Sequence, residues 1–293
     1  MQAPSQLSPC GGARVDLPGR YGSIAALRAT AGSPELAATV LLLPGFTGSK
    51  EDFAPLLDPI ATAGLGAIAI DLPGQYESPG PDDESAYLPD ALGQPIAELI
   101  EWLTSAGERI LLLGHSYGGL VARGAVLAGA PVLGLTLLDS GPGELPPGHR
   151  RAALDHGEPV LRANGIAAAQ QMREQLDSAA PGWADSSAEL REFLHTRFLR
   201  SSVIGLLGMA DGLRHEPDRV TKLAHALRAG PAPCLVVCGE ADDAWSVASQ
   251  RDMADRLDAD FAVIPGARHS PNVENPTGLL ATLLPTWRAW LQT

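Results

Sequence analysis

The 293-residue chain is 45% hydrophobic and carries 34 acidic against 21 basic side chains, giving a formal net charge of -13. That length can bury one large core with room for an insertion. The acidic balance repels polyanions, so a nucleic-acid partner is not expected, and an anionic membrane surface is disfavoured for the same reason. No apolar run approaches the roughly 18 to 20 residues of a spanning helix, and the chain start lacks a charged n-region followed by an apolar h-region. Cys234 and Cys238 stand in one apolar run that reads as a strand, where their Cα atoms would lie about 13 Å apart, beyond disulfide reach. A reducing, cytoplasmic setting is the expectation.

In chain order, Tyr21 to Thr30 reads as one arm of an amino-terminal hairpin with Gly32-Ser33-Pro34 as its turn. Thr39 to Leu43 is a short apolar run ending at Pro44-Gly45, and Ala67 to Ile70 a second ending at Asp71-Leu72-Pro73-Gly74. A helix around Gln94 to Ser105 follows a loop rich in Pro, Gly and acid. Arg109 to Leu113 is the third run, followed through Gly114 by a helix to about Leu127, and Val132 to Leu138 is the fourth. Strand patterning then stops. Residues 141–229 show helix-period segments with scattered aromatics, before Cys234 to Cys238 and Phe261 to Ile264 resume the strands. Continuous apolar runs alternating with helices predict a mostly parallel central sheet covered on both faces, an α/β fold with a helical insertion between two late strands. The core is expected over residues 1–140 and 230–293.

Three segments carry chemistry. Leu111-Leu112-Leu113-Gly114-His115-Ser116-Tyr117-Gly118-Gly119 sets a serine between two glycines, just past a strand and just before a helix, which is the G-x-S-x-G nucleophile elbow in its required context. The tight turn strains the serine backbone and lifts its hydroxyl to the positive end of the helix. A hydroxyl needs a base, and His269 is the one histidine of seven that follows a terminal strand, in Pro265-Gly266-Ala267-Arg268-His269. An acid must orient that imidazole, and Asp242, in the loop Gly239-Glu240-Ala241-Asp242-Asp243, lies between nucleophile and base in chain order. Asp243 is expected to cap the helix near Ser246. Asp139, after the fourth strand, is the competing acid, although hydrogen-bonding its own backbone in the turn Ser140-Gly141-Pro142-Gly143 would be a sufficient role. Two backbone N–H groups, those of Tyr117 and Phe46, are the candidates for an oxyanion hole.

These segments, with Pro44 to Ser49 and the Asp71-Leu72-Pro73-Gly74 stretch before Ser78, resemble the α/β-hydrolase superfamily, and in particular its esterase-like members with a helical cap, over residues 39–290. The resemblance implies the α/β-hydrolase fold, an acyl-enzyme mechanism with a small-molecule acyl substrate, no cofactor, and a cap over residues 141–229 that covers the substrate. Trp183, Phe193, Phe198 and Met209 are the candidates to line its acyl pocket. Two departures stand out. Many relatives carry histidine where this chain has Pro44, and Gly-His-Gly-Ser where it has Gly74-Gln75-Tyr76-Glu77-Ser78. Ser116 argues against the members that use an aspartate nucleophile.

The reading is therefore a serine hydrolase acting on an ester or thioester. The same triad would serve an acyltransferase, or a lyase or cyclase in a biosynthetic pathway. A ligand-binding protein on the same fold is the reading from another class. No metal is expected, because the histidines lack H-x-x-x-H or H-E-x-x-H spacing.

Overall fold

The computed structural model describes residues 4–32, 38–178, 183 and 185–292. Eight strands form one sheet: β1 (Ala13–Leu17), β2 (Ile24–Ala29), β3 (Thr39–Leu43), β4 (Gly66–Ile70), β5 (Ile110–His115), β6 (Val132–Leu138), β7 (Cys234–Gly239) and β8 (Asp260–Ile264). Their order is β1-β2-β4-β3-β5-β6-β7-β8. β1 and β2 pair antiparallel with each other, β2 pairs antiparallel with β4, and every other pairing is parallel.

The central strands are apolar at successive positions because both faces are covered. Leu41, Leu43, Ile110 and Leu112 enter one core cluster, while Val40, Leu42, Leu111 and Leu113 enter the cluster on the opposite face. Helices α2 (Pro89–Ser105) and α3 (Tyr117–Leu127) contribute to the first. Helices α1 (Ala54–Thr62) and α10 (Pro276–Gln292) contribute to the second.

Two sequence expectations are corrected here. Residues 24–29 do form a hairpin arm, but the partner precedes them, Ala13–Leu17, and the turn occupies residues 18–23. Gly32 stands at the other end of β2, and Ser33 and Pro34 lie outside the described residues. The α2 helix starts at Pro89, five positions before the expected start at Gln94, because a proline at the first helical position supplies the required φ and lacks only an N–H that would go unpaired there.

Between β6 and β7 the described residues contain no strand. They form α4 (His149–Ser178), broken at Gly165 where φ is 80°, then α5 (Ala188–Leu199), α6 (Val203–His215) and α7 (Val220–Ala229). α6 already places Met209 and Leu213 in the core cluster beneath, and α7 goes further. Val220, Leu223, Ala224 and Leu227 pack into the core cluster of the sheet, with α7 against α3 and α8 (Val247–Leu257). The expected insertion 141–229 thus includes one helix that belongs to the layer flanking the sheet. A short helix, α9 (Pro271–Glu274), follows the last strand.

Candidate active site

Ser116 ends the turn between β5 and α3 with φ 54° and ψ -119°, a conformation that costs an L-residue energy and persists only where the surroundings enforce it. They do so sterically. A Cβ on Gly114 would overlap the Gly118 carbonyl, and one on Gly118 would overlap the Leu43 carbonyl. Ser116 is therefore held against the carboxyl end of β3, where a Cβ on Gly45 would stand 3.1 Å from the Ser116 Cβ.

The loop after β8 brings His269 over this turn. Its Nε2 is 2.9 Å from Ser116 Oγ, and its Nδ1 is 2.8 Å from Asp242 Oδ1. With Asp242 ionised, Nδ1 carries the proton and Nε2 is left to accept from the serine. Burial works against charge on Asp242. The hydrogen bond and charge of His269, the Ala244 N–H and the Asp139 carboxyl outweigh it and hold Asp242 below the usual carboxylate range. Its Oδ1 accepts from Ala244 N at 2.8 Å and its Oδ2 from Gln250 Nε2 at 2.7 Å, so the carboxylate is fixed from three sides.

His115, the residue between the glycine and the serine, is a further component of the site. Its Nε2 lies 2.7 Å from the His269 carbonyl oxygen, so it must donate there and pins the loop that carries the imidazole. Burial, with the neighbouring His269 as the next cause, pushes the His115 pKa down to about 4, so the ring is neutral near pH 7. Neither the Phe46 N–H nor the Tyr117 N–H has an acceptor among the described residues, and Phe46 borders the same cavity as Ser116 and His269.

That cavity measures about 400 Å³ and opens over Ser116. Core residues Gly45, Phe46 and Trp245 wall one side, and Leu154, Leu161, Phe198, Leu206 and Leu207 of the insertion wall the other. Of the four residues expected to line the pocket, Phe198 does so and three do not. Met209 is buried in the sheet core with its Sδ 4.0 Å from Gln75 Nε2. Phe193 turns to Tyr76, ring centroids 5.9 Å apart, and Trp183, whose carbonyl accepts from Ser186 N at 3.1 Å, is not among the residues that line the cavity. Helical periodicity identifies which residues are apolar but not which of two apolar surfaces each one faces, and these helices pack on both sides.

Two carboxylates also depart from expectation. Asp243 does not cap α8, which Ser246 caps through its own side chain; Asp243 instead accepts from Arg150 at 2.6 Å and Arg268 at 3.0 Å, joining the insertion to the His269 loop. Asp139 is fully buried and accepts from Gly239 N across the sheet at 2.8 Å, rather than from its own turn. Gln250 and Gln75, neither singled out by spacing, both reach the site, the second through the backbone of Gly45. Asp139, Asp242 and His269 place ligand atoms within 4.8 Å of one another. The hydrogen bonds of His269 to Ser116 and Asp242 occupy both of its nitrogens, so this trio fits a relay rather than a cation.

Residues 40–282 match the profile of the alpha/beta hydrolase family. The chain belongs to that family. This alpha/beta hydrolase is similar to the 2-succinyl-6-hydroxy-2,4-cyclohexadiene-1-carboxylate synthase of Salmonella typhimurium, 29% identical over 260 residues that cover 86% of this chain and 93% of that one. The enzyme of the same name from an Enterobacter species is 28% identical over 262 residues, covering 83% and 89%. Among solved structures, a thermophilic esterase from Thermogutta terrifontis superposes with a TM-score of 0.71 at 23% identity, covering 96% of this chain and 98% of the esterase. No helix among the described residues is long and apolar enough to cross a membrane.

Proposed function

We propose that the protein is a serine hydrolase that cleaves an ester or thioester of a small to medium acyl substrate, with Ser116 as nucleophile, His269 as base and Asp242 as the acid that orients it. The observation that carries this reading is the unbroken hydrogen-bonded line from Ser116 Oγ through His269 to Asp242, opening on a cavity of about 400 Å³ whose lining mixes apolar side chains such as Leu161, Phe198 and Leu206 with charged ones such as Arg150, Arg173 and Arg197. Ser116 Oγ attacks the acyl carbonyl while His269 Nε2 takes its proton. The negative charge on the carbonyl oxygen is stabilised by the N–H groups of Phe46 and Tyr117. Collapse expels the alcohol or thiol, which leaves with the proton from His269, and water repeats the sequence to release the acid and restore Ser116. The helical residues before α7 act as the cap that shapes the acyl pocket. Cys10, Cys234 and Cys238 are all unpaired, which suits a reducing cytoplasm.

A second reading is favoured by the relatives, which are named as synthases of 2-succinyl-6-hydroxy-2,4-cyclohexadiene-1-carboxylate: a lyase or cyclase step in a biosynthetic pathway that uses the same triad. The test runs both chemistries on the purified protein. Nitrophenyl esters and acyl thioesters of graded chain length report hydrolysis, and the precursor of the synthase reports the conjugated diene by ultraviolet absorbance. Ester turnover abolished in Ser116→Ala supports the hydrolase. Diene formation with negligible ester turnover transfers the same residues to the synthase reading.

A further inference from the structure

We propose that Gln75 is a positioning residue for the oxyanion site: it locks the Gly45–Phe46 peptide so that the Phe46 N–H stays turned toward the carbonyl under attack. Gln75 matters for catalysis only if Ser116 is the nucleophile, as proposed above, but its hold on the peptide does not depend on that reading.

The Gly45 carbonyl and the Phe46 N–H belong to one peptide unit, and no peptide bond here is cis, so the two groups point in opposite directions. Fixing the oxygen fixes the hydrogen. Gln75 Nε2 donates to Gly45 O at 2.8 Å, while Gln75 Oε1 accepts from Leu72 N at 3.0 Å. The second bond determines which end of the amide is the donor, because a backbone N–H can be paired only with the oxygen. The backbone of Gln75 is equally tied, its N–H donating to Leu72 O at 2.9 Å and its carbonyl accepting from Ser78 N at 2.8 Å. Ser78 Oγ in turn accepts from Ala25 N at 3.0 Å and donates to Asp71 O at 2.9 Å, anchoring the loop to the sheet. Gln75 is 2% exposed, so water does not compete for its amide.

The Gly48 N–H also donates to Gly45 O, at 3.0 Å, so Gln75 is the side-chain half of a two-point hold, and Gly45 is the reason that one is needed. A Cβ there would stand 3.1 Å from the Ser116 Cβ, closer than side chains ordinarily pack, and a peptide beside glycine rotates more freely than most. A flip would present the carbonyl oxygen to the developing oxyanion, replacing attraction by repulsion, and would leave the buried Gln75 amide without an acceptor. The bond to Gly45 O also polarises the same peptide and strengthens the Phe46 N–H as a donor.

The test uses two near-isosteric variants of the full chain. Gln75→Met removes the whole amide, and Gln75→Glu keeps the size and the acceptor for Leu72 N but replaces the donor to Gly45 O by a carboxylate. Thermal unfolding establishes that each is folded, and either variant alone suffices for the remaining measurements. On the best ester, kcat is expected to fall about 10- to 100-fold with KM nearly unchanged, since one oxyanion donor is misdirected. Inhibition by a trifluoromethyl ketone, whose serine adduct carries the oxyanion, is expected to weaken by the same factor as kcat. A crystal structure of the variant is expected to show the Gly45–Phe46 peptide rotated or in two orientations. An unmoved peptide overturns the proposal, as does an unchanged kcat together with unchanged ketone affinity. If the wild type neither turns over esters nor reacts with a fluorophosphonate, the serine-hydrolase reading fails by itself, and the peptide orientation in the variant still decides whether Gln75 is the lock.

Discussion

Asp139 lies beside Asp242, with a carboxyl oxygen of each within 4.8 Å of the other. Burial first, and then the charge of Asp242, pushes Asp139 well above the usual carboxylate range, while Asp242 is held below it. Of the two carboxyls, Asp139 is therefore the one that takes up a proton first, and Asp242 the one that keeps its charge opposite His269. An asparagine reproduces the protonated form of Asp139, since its Nδ2 can donate to Asp242 and its Oδ1 can accept from Gly239 N. Asp139→Asn is accordingly expected to stay close to wild-type turnover, whereas Asp242→Asn should lose about 10⁴, as when the imidazole takes the wrong tautomer. Steady-state kinetics of both variants, with folding checked by circular dichroism, decide between them. Greater damage in Asp139→Asn would transfer the orienting role to the end of β6.

His115 predicts an acid limb in the stability curve. A histidine whose folded pKa lies near 4, below the ordinary 6.5, binds its proton more readily in the unfolded chain. The stabilisation is therefore complete above about pH 6.5 and is lost as pH falls toward 4, up to about 3 kcal/mol for a shift of this size. Asp139 has the opposite slope, because its folded pKa is raised, and it is common to both proteins compared. Urea unfolding of wild type and His115→Gln between pH 4 and pH 7 should show the wild type losing stability more steeply on acidification. Parallel curves would refute this account of His115.

Gly239, at the end of β7, predicts a coupling between the sheet and the His269 loop. A Cβ there would overlap the Arg268 carbonyl and stand 2.7 Å from that of Ala267. Both neighbours are backbone and cannot rotate away, so Gly239→Ala must displace the loop that carries the imidazole. Ester turnover is expected to fall more than 10²-fold, in keeping with the sensitivity of catalysis to displacements of about 1 Å. The comparison is turnover per folded molecule, with the folded fraction taken from tryptophan fluorescence. Full activity in this variant would show that the loop adapts without cost.

Most of the sheet is legible in the sequence because its strands are buried on both faces and read as continuous apolar runs; Thr39–Leu43 and Val132–Leu138 are delimited to the residue. The elbow motif, the place of His269 after the last strand and the family pattern over Gly239 to Asp242 put Ser116, Asp242 and His269 forward, and folding brings their side chains together. What the sequence conceals are pairings between distant segments. Nothing local in Gln75 or Gln250 marks either as the partner of Gly45 or Asp242, since glutamine is ordinary in loops and helices and its role here arises from contacts 30 and 8 residues away. The insertion is obscure for a related reason: its helices are apolar on more than one face, so Phe198 at the cavity wall and Met209 in the core carry the same signal.

The central claim is that Ser116 is a nucleophile activated through His269. Fluorophosphonate labelling followed by peptide mass mapping tests it most directly. The account predicts one adduct, on Ser116, formed by wild-type protein and missing from Ser116→Ala, with its rate lowered by orders of magnitude in His269→Ala. An unlabelled wild type, or a label on another residue that persists in Ser116→Ala, would contradict it.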